Sequence, residues 1–262
     1  MELQGSTVIV TGGSRGIGRG IVEAFAAEGA NVVIGDLLGN AEVAAACAET
    51  TAALRATGAG VHAVEVDVRD PAANEALVAA ALRTFGRLDV VCANAGVIVP
   101  TPLAQTTAEE WDFMFDVNAK GAFLTCAAAI PHFAEQKAGC FVVTASIAGK
   151  RGQAGAGAYA ASKFAAVGLT QSLSMELAPL NIRANAICPG YLGTSMWLND
   201  ILGRQKDAGK DTSMVFERFA TQNTPLGRPQ TPADIGQAAV YLARADNVTG
   251  VALNVAGGLE QW

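Results

Sequence analysis

Three side chains suited to moving a proton on and off an alcohol oxygen lie close together in this sequence. Tyr159 and Lys163 are four residues apart, which places them one turn apart on one face of a helix. Ser146 closes the apolar segment CFVVTAS, typical of a strand that ends in a loop. A free tyrosine has a pKa of about 10, and a fixed cation beside it lowers that pKa. The set indicates general acid–base chemistry, although an isolated Tyr-x-x-x-Lys pair is also common on helix surfaces.

A glycine-rich turn near the beginning of the chain could hold a phosphate group. Residues 6–11 are a β-branched run (STVIVT), GGSRGIGRG follows, and apolar residues at helical spacing come next. Gly12, Gly16 and Gly18 lie in that turn, where glycine allows close backbone approach and a helix N-terminus offers N–H groups to a pyrophosphate. The G-x-x-x-G-x-G spacing differs from the commoner dinucleotide fingerprint, and a plain turn is the alternative interpretation.

Asp36 ends the next apolar run, NVVIGD, eighteen residues after Gly18. An acidic residue about twenty residues beyond such a turn can accept hydrogen bonds from both ribose hydroxyls of an adenosine. The same carboxylate would repel a 2′-phosphate. Its alternative is an ordinary strand-end or helix-capping aspartate.

Composition limits the classes of function. Of the 262 residues, 51% are hydrophobic and only 16% charged, which suggests that partner subunits cover much of the surface. The net charge of −6 and the lack of a basic run argue against nucleic acid and anionic membranes as partners. No segment has about 20 uninterrupted apolar residues, so we expect no membrane span. The first residues lack the pattern of a signal peptide.

The few cysteines and histidines point away from metal and hydrolytic chemistry. Five scattered cysteines form no C-x-x-C pair, so neither a disulfide framework nor a metal site is expected, and a reducing cytoplasm fits. His62 and His132 have no motif partner and are interpreted as structural. Without a G-x-S-x-G elbow, a serine hydrolase is disfavoured.

Strand and helix patterns alternate along almost the whole chain. They predict a doubly wound α/β fold with about seven parallel strands and helices on both faces. No linker or repeat interrupts the pattern, so one domain spanning 1–262 is expected. Residues 191–224 form a long insertion with Trp197, Met214 and Phe216, which we interpret as a substrate lid rather than a disordered loop. The predicted strands are 6–11, 31–36, 61–68, 88–96, 140–144, 181–190 and 251–258, and the clearest helices are 40–57, 71–85, a long one opened by the capping box at Thr107 and holding Asn118, 157–178, and one that begins at Thr231.

With these elements in order, the chain resembles the short-chain dehydrogenase/reductase family from Thr7 to Gly258, with an NAD(P)-binding Rossmann-type domain. The matching motifs are Thr11-Gly12-x-x-x-Gly16-x-Gly18, Asp67, Asn94-Ala95-Gly96, Asn118, Ser146, Tyr159-x-x-x-Lys163, and Pro189-Gly190 followed by Thr194. Ala93 departs from the asparagine that the family often has before its Asn-Ala-Gly motif.

The resemblance implies a role for each motif. Tyr159 would be the general acid/base, Lys163 would lower its pKa and hold the nicotinamide ribose, and Ser146 would orient the substrate oxygen. Asn118 would help to hold a water linked to Lys163. Asp67 would contact adenine and Thr194 the carboxamide. The expected cofactor-binding set is Gly12, Ser14, Arg15, Gly16, Ile17, Gly18, Asp36, Asp67, Val68, Asn94, Ala95, Gly96, Tyr159, Lys163, Pro189, Gly190 and Thr194, and the expected substrate-binding set is Ser146, Gln153, Tyr159, Tyr191, Met196 and Trp197.

The expected activity is NAD-dependent oxidation of a secondary alcohol, since the stretch PGYLGTSMW is most like bacterial polyol, sugar-alcohol and diol dehydrogenases. Polar Lys150, Arg151, Gln153 and Asn199 could bind additional hydroxyls. The alternatives are an NADPH-dependent 3-oxoacyl-thioester reductase, which Arg15 would suit, and a non-catalytic nucleotide-binding regulator.

Assembly is also predicted from the resemblance. Small-residue faces on the helices 108–135 and 157–178 are similar to the family's four-helix dimer interface and imply a homotetramer. Their small residues are Ala119, Gly121, Ala122, Ala127, Ala128, Ala158, Ala161, Ala165 and Ala166, and some of these must pack on the sheet instead. The closing residues LEQW, through Trp262, could reach a neighbouring subunit's pocket.

Overall fold

A computed structural model of the chain describes residues 1–202 and 211–262. Seven strands form one parallel sheet in the order β3-β2-β1-β4-β5-β6-β7. The strands are β1 (Thr7–Thr11), β2 (Asn31–Asp36), β3 (Val61–Glu65), β4 (Val90–Ala93), β5 (Gly139–Thr144), β6 (Ile182–Pro189) and β7 (Ala252–Val255). The strand order reverses between β1 and β4, which opens a crevice at the carboxyl edge of the sheet. The predicted fold class is confirmed.

The described residues contain eight α-helices, most of which cover the two faces of this sheet. They are α1 (Gly16–Ala27), α2 (Ala41–Ala56), α3 (Pro71–Phe85), α4 (Ala108–Phe115), α5 (Ala122–Gln136), α6 (Gly157–Leu177), α7 (Thr212–Asn223) and α8 (Pro232–Arg244). Helix α7 instead packs on the segment after β6. Successive strand residues point to opposite faces. Val8 and Val10 of β1 therefore pack in the core formed with α1 and α8, whereas Ile9 packs in the core formed with α3, α5 and α6.

Side-chain caps mark the beginning of several of the described α-helices. Asn40, Asp70, Thr107 and Thr231 each accept hydrogen bonds from backbone N–H groups of the first turn of α2, α3, α4 and α8. Thr107 and Thr231 form full capping boxes. Such caps satisfy N–H groups that have no partner within the helix.

The long helix after Thr107 differs from the regular helix expected. A π-helical segment, Asp116–Gly121, separates α4 from α5 and contains Asn118. The continuous helical stretch Ala108–Gln136 is the one segment in the described residues that is long and apolar enough to cross a membrane, with a mean hydropathy of 1.2. Core helices share these properties, and here Cys126, Ala129 and Phe133 of α5 are buried in the core with residues of α3 and α6.

The described residues of the insertion after β6 form two helical segments. A second π-helical segment spans Met196–Leu202, and α7 follows at Thr212–Asn223. Residues 203–210 of the predicted lid lie outside the described residues. The third strand ends at Glu65, so Asp67 and Val68 belong to the loop at the carboxyl edge of the sheet.

Candidate active site

A cavity of about 340 Å³ lies at the carboxyl edge of the strands, where the strand order reverses. Nearly all of the predicted site residues line it. They are Gly12, Arg15, Gly16, Ile17, Gly18, Asp36, Asp67, Val68, Asn94, Ala95, Gly96, Ser146, Gln153, Tyr159, Lys163, Pro189, Gly190, Tyr191, Thr194, Met196 and Trp197. Ser14 and Asn118 are the two exceptions.

Ser146, Tyr159 and Lys163 meet on one wall of this cavity. Ser146 follows β5, and its Oγ accepts a hydrogen bond from the Ala148 N–H (3.1 Å). Tyr159 and Lys163 come from the first two turns of α6 and are 9% and 3% exposed. The Lys163 Nζ lies 5.8 Å from the centroid of the Tyr159 ring and donates to the Thr144 carbonyl oxygen (2.8 Å). The wall thus combines a hydroxyl, a phenol and an amine.

Burial dominates the proton affinities of this set. Desolvation raises the pKa of Tyr159 to about 12, and the hydrogen bond with the Ser146 side chain opposes this shift. Desolvation also lowers the pKa of Lys163 to about 8. Excluding water disfavours the phenolate and the ammonium alike, and this effect dominates both pKa values here. The expected lowering of the tyrosine pKa by Lys163 stays a prediction.

Asn118 lies outside the cavity and connects the loop after β4 to α6 through hydrogen bonds. Its Oδ1 accepts from the Val97 N–H (2.8 Å), and its Nδ2 donates to the Val97 carbonyl oxygen (2.9 Å) and to Ser162 Oγ (3.0 Å). Ser162 Oγ in turn donates to the Tyr159 carbonyl oxygen (2.7 Å). The side chain of Asn118 is fully engaged in joining the loop after β4 to α6. Its predicted part in holding a water stays a prediction.

The amino terminus of α1 fits a pyrophosphate. Arg15 occupies the capping position without a side-chain cap, and the first turn carries no acidic residue, so its N–H groups face the cavity unpaired by side chains. Gly12 has a φ of 65°, and a Cβ on Gly18 would lie 1.9 Å from the Gly12 carbonyl oxygen. Only glycine lets these two backbone segments come so close.

Asp36 stands beside this turn at the end of β2. Its Oδ2 accepts from the Ser14 N–H (3.1 Å) and its Oδ1 from the Leu37 N–H (2.9 Å), which fixes the carboxylate at the cavity wall. A carboxylate has about four acceptor sites, so capacity remains for ribose hydroxyls. Ser14 differs from its predicted position on the cavity wall: its side chain is fully buried beneath the turn.

The far end of the cavity has an ion pair that the sequence did not reveal. Asp67, expected to contact adenine, binds the Arg69 guanidinium through both carboxylate oxygens, with Nε–Oδ1 at 2.9 Å and Nη2–Oδ2 at 2.5 Å. This hydrogen bonding holds the pKa of Asp67 below its ordinary value. Leu37, Val43 and Val66 complete an apolar slot there, although no motif marked them.

The loop after β4 narrows the middle of the cavity. Asn94 Nδ2 donates to the Thr11 carbonyl oxygen (3.0 Å), and its Oδ1 accepts from Thr144 Oγ1 (3.0 Å), so Asn94 ties β1 to β5. A Cβ on Gly96 would lie 3.3 Å from Lys163 Nζ. Gly96 therefore lets the loop after β4 approach Lys163 closely, where a side chain would crowd the amine.

The end of the cavity that could hold a substrate is largely apolar and aromatic. Tyr191 and Trp197 pack edge to face with ring centroids 5.4 Å apart, and Trp197 also contacts Phe216 and Phe219 of α7. Besides the predicted residues, Ile98, Phe113 and Ile201 line this end. Their spacing resembles that of core residues, so periodicity alone does not distinguish them.

Lys150 and Arg151, which were expected to bind substrate hydroxyls, do not line the main cavity and instead contact the closing residues of the chain. Lys150 Nζ donates to the Trp262 carbonyl oxygen (2.5 Å), and Arg151 Nε lies 3.4 Å from Glu260 Oε2. These contacts join the closing segment to the loop that follows Ser146 in the same chain. The Trp262 side chain is 71% exposed and lies outside the cavity. Asn199 does not line the cavity either.

The five cysteines are unpaired and buried. Within residues 1–202 and 211–262, no three His, Cys, Asp or Glu side chains come together as a metal site would require.

Comparison with known proteins supports the same conclusion as the geometry. Residues 6–202 match the family model described as short chain dehydrogenase. Oxidoreductase UcpA of Salmonella typhimurium is 37% identical over 260 residues, covering 98% of this chain and 95% of the relative. The 3-oxoacyl-[acyl-carrier-protein] reductase FabG of Chlamydia muridarum and the galactitol 2-dehydrogenase of Agrobacterium fabrum are each 36% identical, covering 98% of both chains.

A solved structure extends the similarity to three dimensions. Carveol dehydrogenase from Mycobacterium avium, in complex with NAD, superposes with a TM-score of 0.91 at 30% identity, covering 98% of both chains. Family, relatives and fold agree over essentially the whole length. The chain belongs to the short-chain dehydrogenase/reductase family, whose members are oxidoreductases that act on alcohol or ketone groups.

Proposed function

We propose that this protein is an NAD-dependent oxidoreductase that transfers a hydride between nicotinamide and a secondary alcohol or ketone. The observation that carries the proposal is the meeting of Ser146, Tyr159 and Lys163 on one wall of a cavity that extends to the uncapped N-terminus of α1. A non-catalytic regulator would have no need of this complete set.

Each side chain then has a task that follows from its position. A bound nicotinamide supplies the hydride acceptor or donor. Tyr159 accepts the proton of the alcohol during oxidation and returns it during reduction. Ser146 donates a hydrogen bond to the substrate oxygen and orients it. Lys163, next to the phenol, favours the charged form of Tyr159 when its own amine is protonated. Asn118 and Ser162 hold the backbone of Tyr159 in place.

The proposed cofactor is NAD rather than NADP. Asp36 is fixed at the wall by two backbone N–H groups, where a 2′-phosphate would place like charges in contact. The similar carveol dehydrogenase is described in complex with NAD. Arg15, which also lines the cavity, is the feature that could offset Asp36 and favour NADP.

A polyol, sugar alcohol or vicinal diol is the proposed substrate class. The 36% identical galactitol 2-dehydrogenase supports it, and Gln153 offers a polar contact beside the catalytic wall. Two contacts expected for extra hydroxyls are absent, since Lys150 and Arg151 bind the closing segment. NADPH-dependent reduction of a 3-oxoacyl thioester is the second candidate, because the FabG relative is equally identical.

Purified protein tests the proposal with a panel of polyols, diols, simple secondary alcohols and a 3-oxoacyl thioester, each with NAD(H) and NADP(H), followed by absorbance of the reduced nicotinamide. We expect NAD-linked turnover of at least one neutral alcohol. Tyr159→Phe should lower kcat by about 10²-fold or more, because the proton-transfer group is lost, with cofactor affinity nearly unchanged.

Tyr241→Phe is the matched control, since Tyr241 is exposed on α8. Activity confined to the thioester with NADPH would select the second candidate. Most of the activity remaining in Tyr159→Phe would remove Tyr159 from the catalytic role.

We also propose a cytoplasmic location, since five buried, unpaired cysteines suit a reducing compartment. A single domain, small-molecule substrates and no binding to nucleic acid or membranes remain part of the proposal.

A further inference from the structure

The closing segment, residues 259–262, packs on the loop that follows Ser146. Arg151 Nε lies 3.4 Å from Glu260 Oε2, and Lys150 Nζ donates to the Trp262 carbonyl oxygen (2.5 Å). Asn254 Nδ2 holds the segment from the other side, through the carbonyl oxygens of Glu260 (3.1 Å) and Trp262 (3.2 Å). The side chain of Glu260 is only 7% exposed, whereas that of Arg151 is 47% exposed.

This contact lies next to the substrate end of the site. A second cavity of about 240 Å³ is lined by Arg151, Gln153 and Tyr191, and the last two also line the main cavity. Among the described residues that line the two cavities, Arg151 and Lys163 are the cations near the catalytic wall. Arg15 and Arg69 lie towards the other end, at α1 and beside Asp67.

An unpaired arginine at this position would attract anionic substrates. The guanidinium binds carboxylates and phosphates through paired hydrogen bonds. Glu260 occupies Arg151 and adds a negative charge of its own, and its burial leaves that charge less screened by salt.

We propose that Glu260 is a specificity-determining residue that masks the charge of Arg151 and thereby makes the site select neutral over anionic substrates. The inference rests on the proposed function for the reaction itself, and it adds which substrates that site rejects. Phosphorylated and carboxylated alcohols are the rejected class, and neutral alcohols the accepted one.

Propane-1,2-diol and lactate test this selectivity for neutral substrates. They share a three-carbon skeleton, and the diol has a neutral hydroxymethyl group where lactate has a carboxylate. Each is measured as a substrate with NAD and as a competitive inhibitor of the best neutral alcohol of the panel. We expect the wild-type protein to prefer the diol. Glu260→Gln should shift the diol-to-lactate ratio of kcat/KM, or of inhibition constants, towards lactate by about tenfold. The double variant Glu260→Gln/Arg151→Gln should reverse that shift.

Glu28→Gln is the matched control, because Glu28 pairs with Arg244 and lines neither cavity; its ratio should equal that of the wild type. An unchanged diol-to-lactate ratio in a folded Glu260→Gln protein would contradict the proposal that Glu260 masks the charge of Arg151. So would a wild-type preference for lactate.

The double variant Glu260→Gln/Arg151→Gln keeps the inference testable if the Glu260 variant does not fold, because it leaves neither charge unpaired. If Glu260 masks Arg151, the pair gives lactate no net attraction, so the double variant should leave the inhibition constant of lactate unchanged, and a clear weakening would overturn the inference. Failure of the proposed function looks different, since it would appear as no NAD-linked turnover of any neutral alcohol by the wild-type protein.

Discussion

At the scale of single residues, burial shifts the pKa values of Tyr159 and Lys163 in opposite directions. The pKa of Tyr159 rises to about 12 and that of Lys163 falls to about 8, so burial shifts each group towards its neutral form. Burying an ionisable side chain in such a site removes water from its charged form, which lowers the free energy of unfolding of the protein. Catalytic lysines in such surroundings are therefore expected to destabilise the fold that carries them.

Lys163→Met tests that cost. The pKa of Lys163 is 10.5 before burial and about 8 in the fold, so the unfolded chain binds the proton more tightly. The penalty is fully present below pH 8 and disappears as the pH rises to about 10.5. We expect the variant to raise Tm at pH 7 by at least about 2 °C and to lose turnover, with the gap in Tm narrowing towards pH 10, measured by calorimetry.

Lys120→Met is the control for this prediction, since Lys120 is exposed and forms an i,i+4 ion pair with Asp116. It should give no gain. A lower Tm for Lys163→Met at pH 7 would show that the hydrogen bond from Lys163 to Thr144 outweighs the cost of burying the charge.

At the scale of secondary-structure elements, α1 and β2 shape the part of the cavity that a cofactor would occupy. The N-terminus of α1 lacks the side-chain cap that α2, α3, α4 and α8 have, and β2 ends with Asp36 directly beside it. The absence of a cap leaves N–H groups for an anion. A carboxylate held next to that anion-binding turn then controls whether a further phosphate is tolerated.

Asp36→Asn tests the choice of cofactor, because it keeps the shape of the side chain and removes its charge. We expect the ratio of kcat/KM for NADP to that for NAD to rise by about tenfold or more, since a like-charge contact is relieved. Asp67→Asn is the control: adenine is common to both cofactors, so the ratio should stay the same. Equal kcat/KM values for the two cofactors in the wild-type protein would mean that Arg15, not Asp36, controls this pocket.

Exposed aromatic side chains on neighbouring helices characterise the surface of the whole molecule. Phe123 of α5 and Phe164 of α6 are 50% and 44% exposed, beside the partly exposed Ala119, Ala127 and Ala161. Their exposure leaves an apolar face where the four-helix interface is predicted, and the homotetramer stays a prediction. Four of the small residues expected there are instead buried within their own chain and cannot form it: Gly121, Ala122, Ala158 and Ala166.

Phe123→Glu tests the assembly by light scattering after size exclusion at micromolar concentration. The wild-type protein should have the mass of four chains, and the variant a smaller one, because a charge would be buried against a partner subunit. Met214→Glu is the control, since Met214 is 70% exposed on α7. A monomer mass for the wild-type protein would refute the tetramer.

The sequence by itself determined the elements and the grouping of the motifs. Helix caps such as Thr107, the β-branched strands and the turn at Gly12 act over a few residues, so they can be recognised without a structure. Parallel strands then bring their carboxyl ends to one edge, which is why residues as distant as Asp36 and Tyr159 were expected at one site and line one cavity.

The tertiary structure decided what depends on desolvation and on distant contacts. The direction of the pKa shift of Tyr159 follows from how completely neighbouring elements exclude water, which no local pattern encodes. Ser14 is turned inward by packing beneath its turn, and Asn118 lies in a π-helical segment that periodicity predicts as regular helix. Lys150 Nζ forms a hydrogen bond with Trp262, which lies 112 residues further along the chain. Partners that far apart are brought together only by the whole fold, so the charge balance at the substrate end could not be predicted from the sequence.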